Sequence, residues 1–226
     1  KEIITYDAIV SKDTVLTASE ETALHNYLTS SNVTSYSDVY SETVTREVPG
    51  EDDEQSVTVL VGKESSLSPY LHLNDTKTKK AVTLPEDGVL ISEKLATLLN
   101  VKAGDTFTLP NKDGEDVTLT VGGVVEMYAG HFVVMTPEVY AKAYGVAPQD
   151  NAIFVQFKDK DAASVQKAAA DLMALGGVKA VVQNTSMVSR INTIVGSLSR
   201  VMMILTAVSI LLAVVILYNL TNINVA

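Results

Sequence analysis

The only side chains in this sequence that titrate near neutral pH are three histidines, His25, His72 and His131, and they stand far apart. Neither a His-Glu-x-x-His run, which would set two imidazoles on one helix face around a zinc ion, nor a His-x-His pair occurs. There is no cysteine, which removes thiolate nucleophiles, thiolate metal ligands and disulfides together. Around His131, Glu126 and Tyr128 offer partners for a small polar cluster at a strand turn. An imidazole in that setting reads as a hydrogen-bonded structural residue rather than a base, because no nucleophile motif accompanies it. Ser65, Ser66 and Ser68 flank Leu67 without the Gly-x-Ser-x-Gly elbow and read as loop. The acidic run Glu51-Asp52-Asp53-Glu54 after Pro49-Gly50 is a conceivable calcium site, but it lacks EF-hand spacing and reads as an exposed hairpin turn. No phosphate-binding loop of the Gly-x-x-x-x-Gly-Lys-Ser/Thr kind is present. The expectation is a chain that is not an enzyme, with no catalytic, cofactor or metal residues.

Charge narrows the partners. The chain has 226 residues and a net charge of −10, and every charged residue lies at or before Arg200. Nucleic-acid affinity comes largely from cations neutralising phosphates, so this balance disfavours it. Binding of anionic lipid through the body of the domain is disfavoured for the same reason. The acidic surface reads as solubilising. Residues 1–10 (KEIITYDAIV) read as a strand and not as a signal peptide. The hydrophobic close of the chain suggests a piece of something longer.

Elements that would carry such a surface are marked by their caps. Residues 3–10 are rich in β-formers. Thr17-Ala-Ser-Glu20 has capping-box spacing and opens a helix with Ala23, Leu24, Tyr27 and Leu28 on one face, stopping near residues 30–32. Residues 39–48 and 57–61 read as strands joined by the acidic hairpin. Residues 88–92 read as a strand ending in an N-cap serine, Ser92, followed by a short helix over 93–99 with Leu95, Leu98 and Leu99 inward. Strands follow over 106–109 and 117–125 around an Asn111-Lys-Asp-Gly114 turn. Thr136-Pro137-Glu138 starts a helix that stops at Gly145; then come a strand over 152–157, a helix opened by Asp161 with Val165, Ala168, Ala169 and Leu172 inward, and a strand over 178–182. The β-α-β character at both ends predicts an α+β fold of two lobes. Residues 1–61 with 151–185 form one lobe, and 62–150 form an inserted β-rich lobe.

The close of the chain differs in kind. Residues 186–226 predict a stalk helix running into a transmembrane segment at about 201–220. Val188, Ile191, Val195, Leu198, Met202 and Leu205 follow the alternating three-and-four spacing of a helix packed along a partner helix, either another transmembrane helix or a second copy. Residues 201–218 (VMMILTAVSILLAVVILY) are apolar all round and rise about 27 Å, close to the roughly 30 Å of a bilayer core. A buried core helix is the competing explanation, but core helices of that length keep a polar stripe. Tyr218 and Asn219 fall where interfacial residues belong. Arg190 and Arg200 on the globular side argue weakly against an exterior placement by the positive-inside rule.

Three segments carry a family resemblance. Leu217-Tyr218-Asn219-Leu220-Thr221-Asn222-Ile223-Asn224 resembles the helix end of FtsX-like ABC transporter permeases of Gram-positive bacteria. Tyr128-Ala-Gly-His131-Phe-Val-Val-Met135 before a Thr-Pro-Glu-x-Tyr helix resembles the large extracellular domain of that family. So does Gly88-Val-Leu-Ile-Ser92 leading to Val101-Lys-Ala-Gly104-Asp105. The family is similar to the MacB-type, mechanotransmission class. What the resemblance implies is a porter-like lobe and an inserted lobe outside the cell membrane, a separate cytoplasmic ATP-binding subunit as partner, and transmission of its hydrolysis cycle through the stalk helix. The implied function is export or handling of a peptide, lipid or cell-wall substrate. A membrane-anchored extracellular sensor or binding module without a transport role is the alternative reading, and an anchored hydrolase a third.

Overall fold

The computed structural model describes residues 3–47, 54–127, 130–184, 201–213 and 215–216. Lys1–Asn184 form one compact unit and Thr185–Ala226 another. In chain order the first unit holds β1 (Ala8–Lys12), α1 (Ala18–Leu28), β2 (Val33–Arg46), β3 (Gln55–Val61), α2 (Glu64–Leu67), β4 (Val89–Ser92), α3 (Glu93–Leu99), β5 (Thr106–Pro110), β6 (Asp116–Val125), β7 (His131–Met135), α4 (Pro137–Tyr144), β8 (Ala152–Phe157), α5 (Ala162–Met173) and β9 (Val178–Gln183). The fold is mixed α+β, and among the described residues nine strands make one sheet in the order β5-β6-β4-β7-β3-β2-β8-β1-β9.

Local chemistry sets the helices. Thr17 and Glu20 close the reciprocal capping box at the start of α1, so two of the orphan backbone donors of the first turn are satisfied by side chains. Asp161 does part of this for α5, accepting from the Ser164 N–H at 3.0 Å. Thr136 accepts from the Val139 N–H, with Pro137 at the first helical position, and Gly145 ends α4 in the left-handed region. In α1 it is Leu24 and Leu28 that are buried, whereas Ala23 faces solvent.

Pairing then assembles two halves. Strand β1 lies between β8 and β9, antiparallel to both, and β2 is antiparallel to β8. With α1 and α5 these strands form the split β-α-β arrangement. Leu24, Leu28, Val165 and Leu172 cover Ala8, Val10, Ile153, Val155 and Phe157 on one face of the sheet. In the other half β3 runs parallel to β7, β7 antiparallel to β4, β4 parallel to β6, and β6 antiparallel to β5. Its core packs Leu95, Val139 and Tyr140 from α3 and α4 against Val59, Ile91, Val121 and Val133. A third cluster spans both halves on the opposite face, joining Val39, Ala152 and Phe154 to Leu60, Leu90 and Val134.

Several elements depart from the sequence reading. Strand β1 starts at Ala8 rather than at residue 3. Ahead of it, the Asp7 carboxylate accepts the Phe157 N–H at 2.8 Å, while the Thr5 N–H and the Ile3 carbonyl bond to the backbone of Tyr70 and His72. That exchange of partners ends the ladder. Strand β2 begins at Val33, six residues earlier than expected, because pairing with β8 holds a stretch too polar to show as a strand. The serine segment expected as loop contains the helical turn α2, which buries Leu67. Ser92 stands at the N-cap position of α3, yet its hydroxyl caps nothing and instead accepts the Phe132 N–H at 3.0 Å.

Phe154 is the point at which the spanning cluster is most concentrated: it is fully buried, stacks on Tyr6 at 4.6 Å and lies 5.6 Å from Tyr70. Phe154→Ala is expected to cost about 3–5 kcal/mol of unfolding free energy. Urea titration followed by circular dichroism measures this, and a loss below about 1 kcal/mol would show that the two halves do not share this core.

Candidate functional site

Of the polar partners that the sequence offers His131, Glu126 is paired with the Lys79 ammonium, and Tyr128 lies outside the described residues. His131 opens β7, with its Nδ1 buried and without a partner among the described residues. Burial, with the Lys94 cation beside it, holds its imidazole below the ordinary histidine range. Among the described residues no three His, Cys, Asp or Glu side chains are grouped to hold a metal ion. The acidic hairpin falls largely outside the described residues.

Two surface features carry chemistry that the sequence did not announce. An open groove of about 830 Å³ runs between α3, the turn after it and β6, edged by Lys77, Glu93, Lys102 and Asp105 with Thr97 and Asn100 between them. With Asp75 also lining it, the groove carries both cations and carboxylates, so no single sign of ligand charge is selected there. A tyrosine cluster lies on β2 and α4. The Tyr40 hydroxyl donates to Glu42 Oε2 at 2.7 Å, the Tyr140 hydroxyl donates to Tyr40 at 3.2 Å, and Tyr140 stacks on Tyr144 at 4.2 Å. Burial raises the Tyr40 and Tyr144 hydroxyls well above the ordinary phenol value, so they remain protonated donors. Tyrosines separated by a hundred positions in the chain leave no local signature by which sequence reasoning could join them.

In the second unit residues 201–213 and 215–216 are helical and exposed wherever described. Met203 at 70% and Leu211 at 69% are the most exposed of eleven large apolar side chains there. Met202 and Leu205 of the expected packing seam are exposed like those around them, whereas Val188, Ile191, Val195, Leu198, Tyr218 and Asn219 lie outside the described residues. Thr206 and Ser209 each donate their hydroxyl proton to the carbonyl four residues back, Met202 and Leu205, at 2.8 Å. Both hydroxyls are therefore satisfied within the helix. Among the described residues no helix is long and apolar enough to cross a membrane.

No protein-family model matches the sequence, and no curated protein matches it. Among solved structures the chain is similar to the periplasmic region of MacB from Actinobacillus actinomycetemcomitans, at 13% identity and a TM-score of 0.42, over 84% of this chain and 94% of that one. It is similar also to the extracellular domain of the noncanonic ABC-type transporter YknZ from Gram-positive bacteria, at 13% identity and a TM-score of 0.42, over 78% and 98% of the two chains. A Bacillus anthracis protein described as a lipoprotein is similar at 13% identity and a TM-score of 0.37, over 78% and 97%. Likenesses at this level assign no function.

The depressed imidazole gives a pH signature. A histidine whose folded value lies below its unfolded value leaves the unfolded state holding more protons near pH 6.5, so stability is full above that range and declines as pH falls through it. The melting temperature is expected to fall between pH 7.5 and pH 5, and His131→Gln is expected to flatten that part of the curve. An unchanged pH profile in the variant would show that the neutral imidazole is not favoured by folding.

Proposed function

We propose that this chain is the extracytoplasmic domain of an ABC transporter permease subunit, with its closing helix belonging to a membrane span. The observation that carries the reading is the helical stretch described at residues 201–213 and 215–216. All its described large side chains are apolar and exposed, and its two hydroxyls bond their own backbone. A helix in water keeps a polar face, whereas in lipid every polar group has to be satisfied internally. Joined to it is an acidic globular unit with the opposite solvent preference.

The permease assignment, and within it the FtsX-like, Gram-positive, MacB-type class, rests on the sequence resemblance at 88–105, 128–140 and 217–224. On this reading a cytoplasmic ATP-binding subunit drives the cycle, and a stalk over 186–200 carries displacement to the exterior domain, which exports or handles a peptide, lipid or cell-wall substrate. The same reading divides the globular unit into a lobe of residues 1–61 and 151–185 and an inserted lobe of residues 62–150. The core beneath α1 and α5 is drawn from residues 1–61 and 151–185, which supports that division, whereas the core beneath α3 and α4 takes in Val44, Val57, Val59 and Val61 as well. Strand β3, paired to both β2 and β7, lies at its border.

Flotation with phosphatidylcholine and phosphatidylglycerol vesicles tests the membrane reading. The chain is expected to float with the vesicles. Leu205→Lys combined with Leu212→Lys is expected to leave it in the aqueous layer, since each lysine at a helix centre costs about 2.5–3.5 kcal/mol on insertion. Equal flotation of the variant, or a wild-type chain monodisperse without lipid or detergent, would contradict the proposal.

A further inference from the structure

Strand β2 changes partners between Val39 and Tyr40. Up to Val39 its ladder is with β8, and from Tyr40 onward it is with β3 on the opposite edge. A strand edge that loses its neighbour leaves backbone donors and acceptors in need of partners. At this point a side chain supplies them. Asn151, the residue before β8, accepts the Ser41 N–H through Oδ1 at 2.8 Å and donates from Nδ2 to the Ser41 carbonyl at 2.9 Å. Its own N–H donates to the Val39 carbonyl at 3.2 Å, and its carbonyl accepts the Lys12 N–H at 2.8 Å. One residue thereby joins β1 and β2 at the head of β8. The side-chain amide presents one donor and one acceptor side by side, which imitates one more rung of the ladder; a carboxylate offers no donor for the Ser41 carbonyl.

The same stretch of β2 is fastened a second time. The Tyr40 hydroxyl accepts from the Tyr140 hydroxyl of α4 and donates to Glu42, and α4 leads by residues 145–150 back to Asn151. Chain continuity, the amide pair and the tyrosine cluster meet within Val39–Glu42.

We infer that Asn151 is a positioning residue that locks this partner exchange, so that the two halves of the sheet move as one body. The inference is independent of membrane anchoring and of any transport role. Without the lock each half retains its own core, beneath α1 and α5 in one and beneath α3 and α4 in the other, and the cluster of Phe154 and Leu60 still spans both on the opposite face. Loss of the lock is therefore expected to loosen the orientation of the halves and leave the fold in place.

Because the chain has no cysteine, Lys102→Cys and Lys167→Cys, both at exposed positions, allow one spin label in each half. The full chain in detergent is expected to give a single narrow dipolar distance distribution. With Asn151→Ala the distribution broadens or splits, and amide exchange at Ser41 and the adjoining β2 residues rises roughly tenfold, as expected for the loss of about two hydrogen bonds. Asn151→Asp, which keeps the acceptor and loses the donor, falls between the two. The inference is overturned if both variants keep the wild-type distance distribution and the exchange change is confined to Ser41, or if the wild-type distribution is itself broad.

Discussion

From Val33 to Val39 strand β2 is the outer partner of β8, and from Tyr40 to Arg46 it is the partner of β3; nine strands form one sheet because this strand serves both halves. That constraint settles much of the remainder. The halves bury separate clusters on the side that bears α1, α3, α4 and α5 and share one on the other side, where Phe154 and Leu60 belong to a single cluster. A strand cannot twist independently at its two ends without disturbing the ladders it carries. The orientation of each half is accordingly linked to the other through the backbone and not through surface contacts alone. Asn151 and the Tyr40 hydroxyl bond sit where that linkage is thinnest.

The second constraint is the segregation of charge. Acidic and basic groups are confined to the first 200 residues, and the helix after them exposes apolar side chains on all described sides. Large exposed apolar surfaces are not stable in water on a soluble monomer. Thr206 and Ser209 would be hydrogen-bonding sites for a partner helix, but each spends its donor on its own backbone. The helix is thus suited to a surrounding that offers dispersion contact and few hydrogen bonds. The ion pairs of Lys142 with Asp87 at 3.0 Å and of Lys179 with Asp13 at 2.6 Å are exposed at both ends and belong to a solvated exterior.

What the sequence disclosed was what short-range chemistry determines. The capping box at Thr17 and Glu20, Thr136 with Pro137, Asp161 and the turn at Asn111–Gly114 each act within a few residues, and each was legible. Strand β8, with its apolar run, was legible for its composition. The first half of β2 was not, because residues 34–38 are mostly polar and are held by a partner more than a hundred residues away. Strand β7 buries Val133, Val134 and Met135 on both faces and so shows no alternation to read. Ser92 looked like a helix cap because its position is one; only the packing of β7 beside it assigns its hydroxyl to Phe132. For the candidate site the same limit applied. The apolar helix was visible as composition, whereas the Asn151 clamp and the tyrosine cluster join residues about a hundred positions apart.

The central claim, that the globular unit stands outside the cell while the closing helix lies in the membrane, is tested most directly by labelling. The chain contains no cysteine, so Lys102→Cys in the full-length protein in intact cells gives one reactive thiol in the globular unit. A membrane-impermeant maleimide is expected to label it fully without permeabilisation, with the labelled protein recovered in the membrane fraction after carbonate washing. Labelling that requires permeabilised cells, or a protein released by the wash, would contradict the account.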